Sequence, residues 1–118
     1  MIQSYKDLSV YEKSYALALK MYHESAKFPD EERFGLTSQL KRAATSIPLN
    51  IAEGYGKRKN GNEFKRFLMM AIGSCDEIKV LLDFCKDLGI MSDVLHNDYY
   101  KRYEAVGKML YSLHSKWE

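Results

Sequence analysis

The run LTSQLKRAATSIPLNIAE, residues 36–53, followed by Gly54-Tyr55-Gly56 and Lys57-Arg58-Lys59, decides the fold of this chain. Leu36, Leu40, Ala43, Ala44, Ile47 and Ile51 recur at the three- and four-residue spacing that gathers them on one face of an α-helix. A second set, Gln39, Arg42, Ser46, Asn50 and Glu53, occupies an arc about 100° away from the first. A polar stripe beside a core face has two readings. It is a solvated flank, or it is a hydrogen-bonding network to another helix or subunit, with Glu77 as a candidate partner for Arg42. Pro48 removes an amide donor inside the run and crowds the Ala44 carbonyl. It reads as a kink that lets the helix wrap its neighbours, with Thr45 and Ser46 easing the turn. Gly54 and Gly56 stand where a helix C-cap is expected.

Outward from this run, three more segments carry helical periodicity and none carries a period of two. The first spans about Leu8 to Lys27, with Leu8, Tyr11, Tyr15, Ala18, Leu19, Tyr22 and Ala26 on the expected packing face. Pro29 stops it, because the residue before a proline is pushed out of the α region, and Asp30-Glu31-Glu32 form a short acidic connection. The third helix spans about Asn62 to Leu88, with a stripe running from Phe64 through Cys75 and Cys85 to Leu88. Asn60 or Asn62 caps its start and Gly89 ends it. Gly73-Ser74, mid-helix, reads as a close approach between helices. The fourth spans Ser92 or Asp93 to Lys116, with Leu95, Tyr99, Tyr103, Val106, Leu110, Leu113 and Trp117 in line. Four helices joined by short loops predict an all-α, antiparallel up-down-up-down four-helix bundle, one domain over residues 1–118.

A hydrophobic content of 46% in 118 residues supports a packed core and excludes disorder. The net charge of +2 is small, but it is unevenly spread. Between Lys41 and Arg66 stand seven Lys/Arg against two acids, while the remainder holds eleven against fourteen. Such asymmetry steers an anionic partner toward one patch. Cys75 and Cys85 are about 15 Å apart along one helix, too far for a disulfide, and free thiols suit a reducing compartment. No apolar run reaches the length of a membrane span, and the N-terminus lacks the layout of a signal peptide. The expected setting is soluble and cytoplasmic.

The strongest partner signal is Lys57-Arg58-Lys59 with Lys65 and Arg66. Glycines beside it expose backbone amides, the next helix begins just after, and Tyr55 could stack on a base. The competing reading is a solvated loop between helices. The tyrosines at 11, 15, 22, 99 and 103 read as core or subunit-interface residues rather than a stacking platform. His23, His96 and His114 are scattered, and Asp93 with His96 has no second pair to complete a metal site. No nucleophile–base arrangement or phosphate-binding glycine loop is present. No cofactor, small-molecule substrate or enzymatic activity is expected, with a small helical nuclease as the residual enzymatic reading.

Phe28-Pro29, FGLTSQLKRAATSIPLNIAEG from Phe34 to Gly54, and FKRFLMMAIGSCDEI from Phe64 to Ile78 closely resemble the four-helix-bundle family named for intervening sequences in bacterial 23S ribosomal RNA genes. The similarity covers nearly the whole chain. It implies a small antiparallel bundle that assembles as a ring, a homopentamer being known in the family. It also implies RNA, DNA or a reverse transcriptase as partner, since related proteins accompany the reverse transcriptase of diversity-generating retroelements and bind through basic surfaces. By this likeness Arg42 and the basic loop residues carry the interest. The alternative is an oligomer that binds only protein. The chain is less basic than such binding would suggest.

Overall fold

A computed structural model describes residues 1–117 and folds them into helices α1 (Ser9–Ser25), α2 (Leu36–Gly56), α3 (Gly61–Asp87) and α4 (Asp93–Lys116), with 3-10 turns at Tyr5–Asp7 and Asp30–Glu32. The expected start signals act as caps. Asn60 Oδ1 accepts from the Glu63 amide at 3.3 Å, and Ser92 Oγ accepts from the Leu95 amide at 3.2 Å. Gly89, at φ +75°, closes α3 in the left-handed conformation. The Ile90 amide then reaches the Cys85 carbonyl at 2.8 Å and the Gly89 amide reaches Lys86 at 3.0 Å, which satisfies two carbonyls of the last turn.

The helices run antiparallel. Ser46 meets Ser74 and Tyr55 meets Phe64 across α2–α3; Asp83 meets His96 and Lys79 faces Tyr100 across α3–α4. Lys41 lies over Tyr22 across α1–α2, and the Tyr99 hydroxyl donates to the Lys20 carbonyl across α1–α4. Each helix packs mainly on its chain neighbours, and the α1–α4 seam is the loosest. The result is a bundle of 45 × 22 × 22 Å. Met21, Leu40, Ile47, Phe64, Leu68, Ile78 and Leu110 are fully buried along its axis. Tyr103 is fully buried too, and its hydroxyl finds no partner among the described residues.

The packing face of α1 differs from the sequence expectation. Val10, Ser14, Leu17, Ala18, Met21 and Ser25 are buried, whereas Tyr15, Leu19 and Tyr22 are about half exposed and Ala26 is exposed. The two faces are adjacent on the helix, and the serines hid the true one. Ser14 and Ser25 bury their hydroxyls by donating to the Tyr11 and Tyr22 carbonyls, both at 3.1 Å, so they carry no unsatisfied group inward. Leu88 likewise falls outside the core, 62% exposed beyond the end of α3.

The glycines also change roles. Gly54 is no cap: it lies inside α2, buried, where an added Cβ would stand 2.6 Å from the Phe67 Cβ and 2.9 Å from the Phe64 ring. It lets α3 pack closely against α2. Gly56 is the last residue of α2, and neither glycine has positive φ. Gly73, expected at a close approach, has nothing within 4 Å and faces outward; its neighbour Ser74 makes the contact, with its Oγ 2.6 Å from Ser46 Oγ. Pro48 is buried within a continuous α2. The hydroxyls beside it return to the backbone, Thr45 to the Lys41 carbonyl at 3.0 Å and Ser46 to Ala43 at 2.7 Å. No described helix is long and apolar enough to cross a membrane.

Candidate nucleic-acid interface

The α2–α3 turn gathers Lys57, Arg58, Lys59, Lys65 and Arg66 at one end of the bundle, with the C-terminal turn of α4 beside it through the edge-on packing of Trp117 on Phe64 at 4.7 Å. The turn is held by its own backbone, the Arg58 amide bonding the Tyr55 carbonyl at 3.2 Å and the Asn60 amide bonding Lys57 at 3.1 Å. The five cations are not equivalent. Arg58 folds back, its guanidinium 4.1 Å over the Tyr55 ring and donating to the Tyr55 carbonyl at 3.0 Å. Arg66 grips Glu63 in a two-pronged contact of 2.7 and 3.4 Å and covers Phe67 at 4.7 Å. That hydrogen bond holds the Glu63 carboxyl below its ordinary value. Lys57 also reaches toward Phe67, at 5.8 Å, while Lys59 projects into solvent and Lys65 is half-buried. Lys57, Lys59 and Lys65 have no carboxylate partner among the described residues.

Two expectations about this region fail. Tyr55 cannot serve as a stacking platform: it is 6% exposed, edge-on to Phe64 at 6.1 Å and roofed by Arg58. Arg42 does not join the turn either. It lies fifteen positions before Lys57 on the same helix, roughly 22 Å away at ~1.5 Å per residue. It stands instead with Arg33, Lys41, Phe34 and Tyr22 around an open depression near the start of α2. Arg33 and Phe34 belong to this second cluster, and no periodic pattern in the sequence marks them as site residues.

The polar stripe of α2 divides as well. Ser46 reaches Ser74 across the helix pair, and Asn50 donates to its own helix at the Ser46 carbonyl, 2.8 Å. Gln39, Arg42 and Glu53 are exposed. Arg42 and Glu77 do not pair with each other, and among the described residues neither takes part in an ion pair. Both side chains are exposed to solvent.

Charge is polarised along the bundle. The half around the α2–α3 turn (residues 1–15, 48–72 and 106–117) carries nine Lys/Arg against four acids, and the other half (16–47 and 73–105) carries nine against eleven. The positive charge is therefore concentrated at one end rather than spread over the whole surface. The cysteines are inert in comparison: burial pushes the Cys75 thiol up to about 12 and the Cys85 thiol up to about 11. No three His, Cys, Asp or Glu side chains gather to hold a metal among the described residues.

An apolar feature lies on the side of the bundle. Tyr5, Tyr11, Tyr15, Leu19, Pro48 and Leu49 line an open apolar groove of about 480 Å³ between α1 and α2. The aromatic residues at helical spacing on α1 are its signal in the sequence.

Against known proteins, a family model described as 23S rRNA-intervening sequence protein matches residues 6–112. No curated protein matches the chain.

Proposed function

The chain belongs to the 23S rRNA-intervening sequence protein family, and from that premise we propose that it is a non-catalytic, self-associating bundle that holds the phosphate backbone of RNA or DNA at the end bearing the α2–α3 turn. The observation that carries this reading is the charge polarity: nine Lys/Arg against four acids in one half, with Lys57, Lys59 and Lys65 free of carboxylate partners among the described residues. Phosphate contacts of this kind need no base-reading side chain and give binding that falls steeply with salt. By the family likeness the assembly is a homopentamer. Repetition of a weak basic site around a ring raises affinity through effective concentration.

Binding of fluorescent single-stranded RNA and DNA, titrated from about 50 to 200 mM salt, tests it. Affinity should fall with salt, and replacing Lys57, Arg58 and Lys59 together by glutamine should abolish most of it. Binding unchanged by the triple replacement would remove the turn from the interface. A second reading, an oligomer that recognises only protein, is favoured by the apolar groove on α1–α2 and predicts no salt-dependent nucleic-acid binding at all.

A further inference from the structure

We infer that copies of this chain join through two unlike faces, the tyrosine-lined groove between α1 and α2 on one copy receiving the outer ridge of α3 from the next. This rests on the self-association proposed above and adds which surfaces meet and in which direction.

Nine of the fourteen large apolar side chains exposed among the described residues lie on these two faces. Tyr15, Leu19, Tyr22 and Leu49 border the groove, each between 47% and 59% exposed. On α3, Met69, Met70, Val80 and Phe84, with Leu88 just beyond its end, follow helical spacing on the side away from the core, 44% to 62% exposed. Exposed apolar surface on this scale marks an interaction site. Neither face is spent inside the monomer.

The occupant is a second copy because both faces are apolar and are flanked by opposite charges, Arg42 beside the groove and Glu77 on the ridge, each exposed. Ser46 touches Ser74, and α2 and α3 run antiparallel at ~1.5 Å per residue, so residues whose numbers sum to about 120 are level. When two bundles stand side by side, parallel and at one height, Met70 and Gly73 of one come level with Pro48 and Leu49 in the groove of the other. Gly73 has nothing within 4 Å in its own chain, and its missing side chain lets the groove wall come close. Glu77 comes level with Arg42, both exposed and both outside the ion pairs of the monomer. Val80 and Phe84 come level with the start of α2, where Phe34 is 90% exposed. The groove against itself would leave the ridge bare. The groove against the ridge covers both, and such a head-to-tail contact is the kind from which a ring is built when its rotation closes. Because the bundles stand parallel in this register, every α2–α3 turn falls on the same rim.

Cross-linking of the full chain decides the matter. Native Cys75 and Cys85 are buried, so introduced thiols dominate oxidation. A chain carrying both Leu49→Cys and Gly73→Cys should give a ladder of disulfide-linked multimers on a non-reducing gel, and each single variant should give none. In parallel, Arg42→Glu should raise the concentration for half-assembly, read by light scattering, by at least about tenfold through like charges facing Glu77, and adding Glu77→Arg should restore it. Dimers from Leu49→Cys alone, a wild-type chain that stays monomeric at micromolar concentration, or an oligomer showing neither ladder nor charge-swap rescue overturns the inference. An oligomer that binds RNA with salt dependence yet forms no ladder removes this contact and leaves the nucleic-acid reading standing. A ladder without RNA binding does the reverse.

Discussion

Gly54 shows how much one absent methyl group decides. The Cβ of alanine at this position would sit 2.6 Å from the Phe67 Cβ, a backbone-anchored atom that cannot swing away, and 2.9 Å from the Phe64 ring. Overpacking of a tight core costs about 1–3 kcal/mol, while alanine in a helix interior gains about 1 kcal/mol over glycine. With Cβ atoms brought to 2.6 Å the packing term wins, so Gly54→Ala should lower stability by up to about 2 kcal/mol, seen as a reduced urea midpoint with unchanged slope. A rise in the midpoint would mean that α2 and α3 move apart at little cost. The sequence could not assign this role. A glycine near a helix end looks the same whether it caps the helix or admits a neighbour, and the distinction depends on Phe64 and Phe67, which reach it only after the chain has turned back.

At the scale of elements, the four helices and their stops were legible because their signals are local: the 3.6-residue repeat, Asn60 and Ser92 as caps, Gly89 as the left-handed terminator. The orientation of α1 was not legible. Its sequence carries two adjacent apolar-compatible faces, and the one that wins has two serines in it, which count as polar until their hydroxyls are seen bonded to Tyr11 and Tyr22. The tyrosine face left over became the groove. Helix α3 holds the matching oddity in Gly73, a flexible residue in the middle of 27 helical positions with open space above it. In the isolated bundle nothing opposes a methyl group there. Gly73→Ala should therefore raise unfolding stability by about 0.5–1 kcal/mol when measured at concentrations too low for assembly. A loss of stability under those conditions would place a neighbour over Gly73 within its own chain.

Across the whole molecule, closeness in number is a poor guide to where charge gathers. Lys41 and Arg42 were counted with the α2–α3 turn because they are close in number, yet α2 carries them roughly 22 Å off. Within the turn, the count also treated five cations as alike. Arg66 is held by Glu63 in a two-pronged, charge-assisted contact three residues apart on α3, so a phosphate approaching Arg66 must first displace a carboxylate. Lys57 makes no ion pair among the described residues, and its influence on the Glu63 carboxyl is weaker than that of Arg66. If the basic end binds nucleic acid by releasing counterions, each phosphate neutralised adds about 0.7–0.9 to the steepness of the salt dependence. Lys57→Gln should then flatten it by about that amount, and Arg66→Gln should change it far less. Glu63→Gln should do the opposite of both, freeing Arg66 and raising the charge of the basic end by one, so that binding tightens at low salt and its salt dependence steepens. Equal losses from Lys57→Gln and Arg66→Gln, with no gain from Glu63→Gln, would show that the ion pair opens freely and that the end acts as a uniform positive surface rather than as individually placed phosphate contacts.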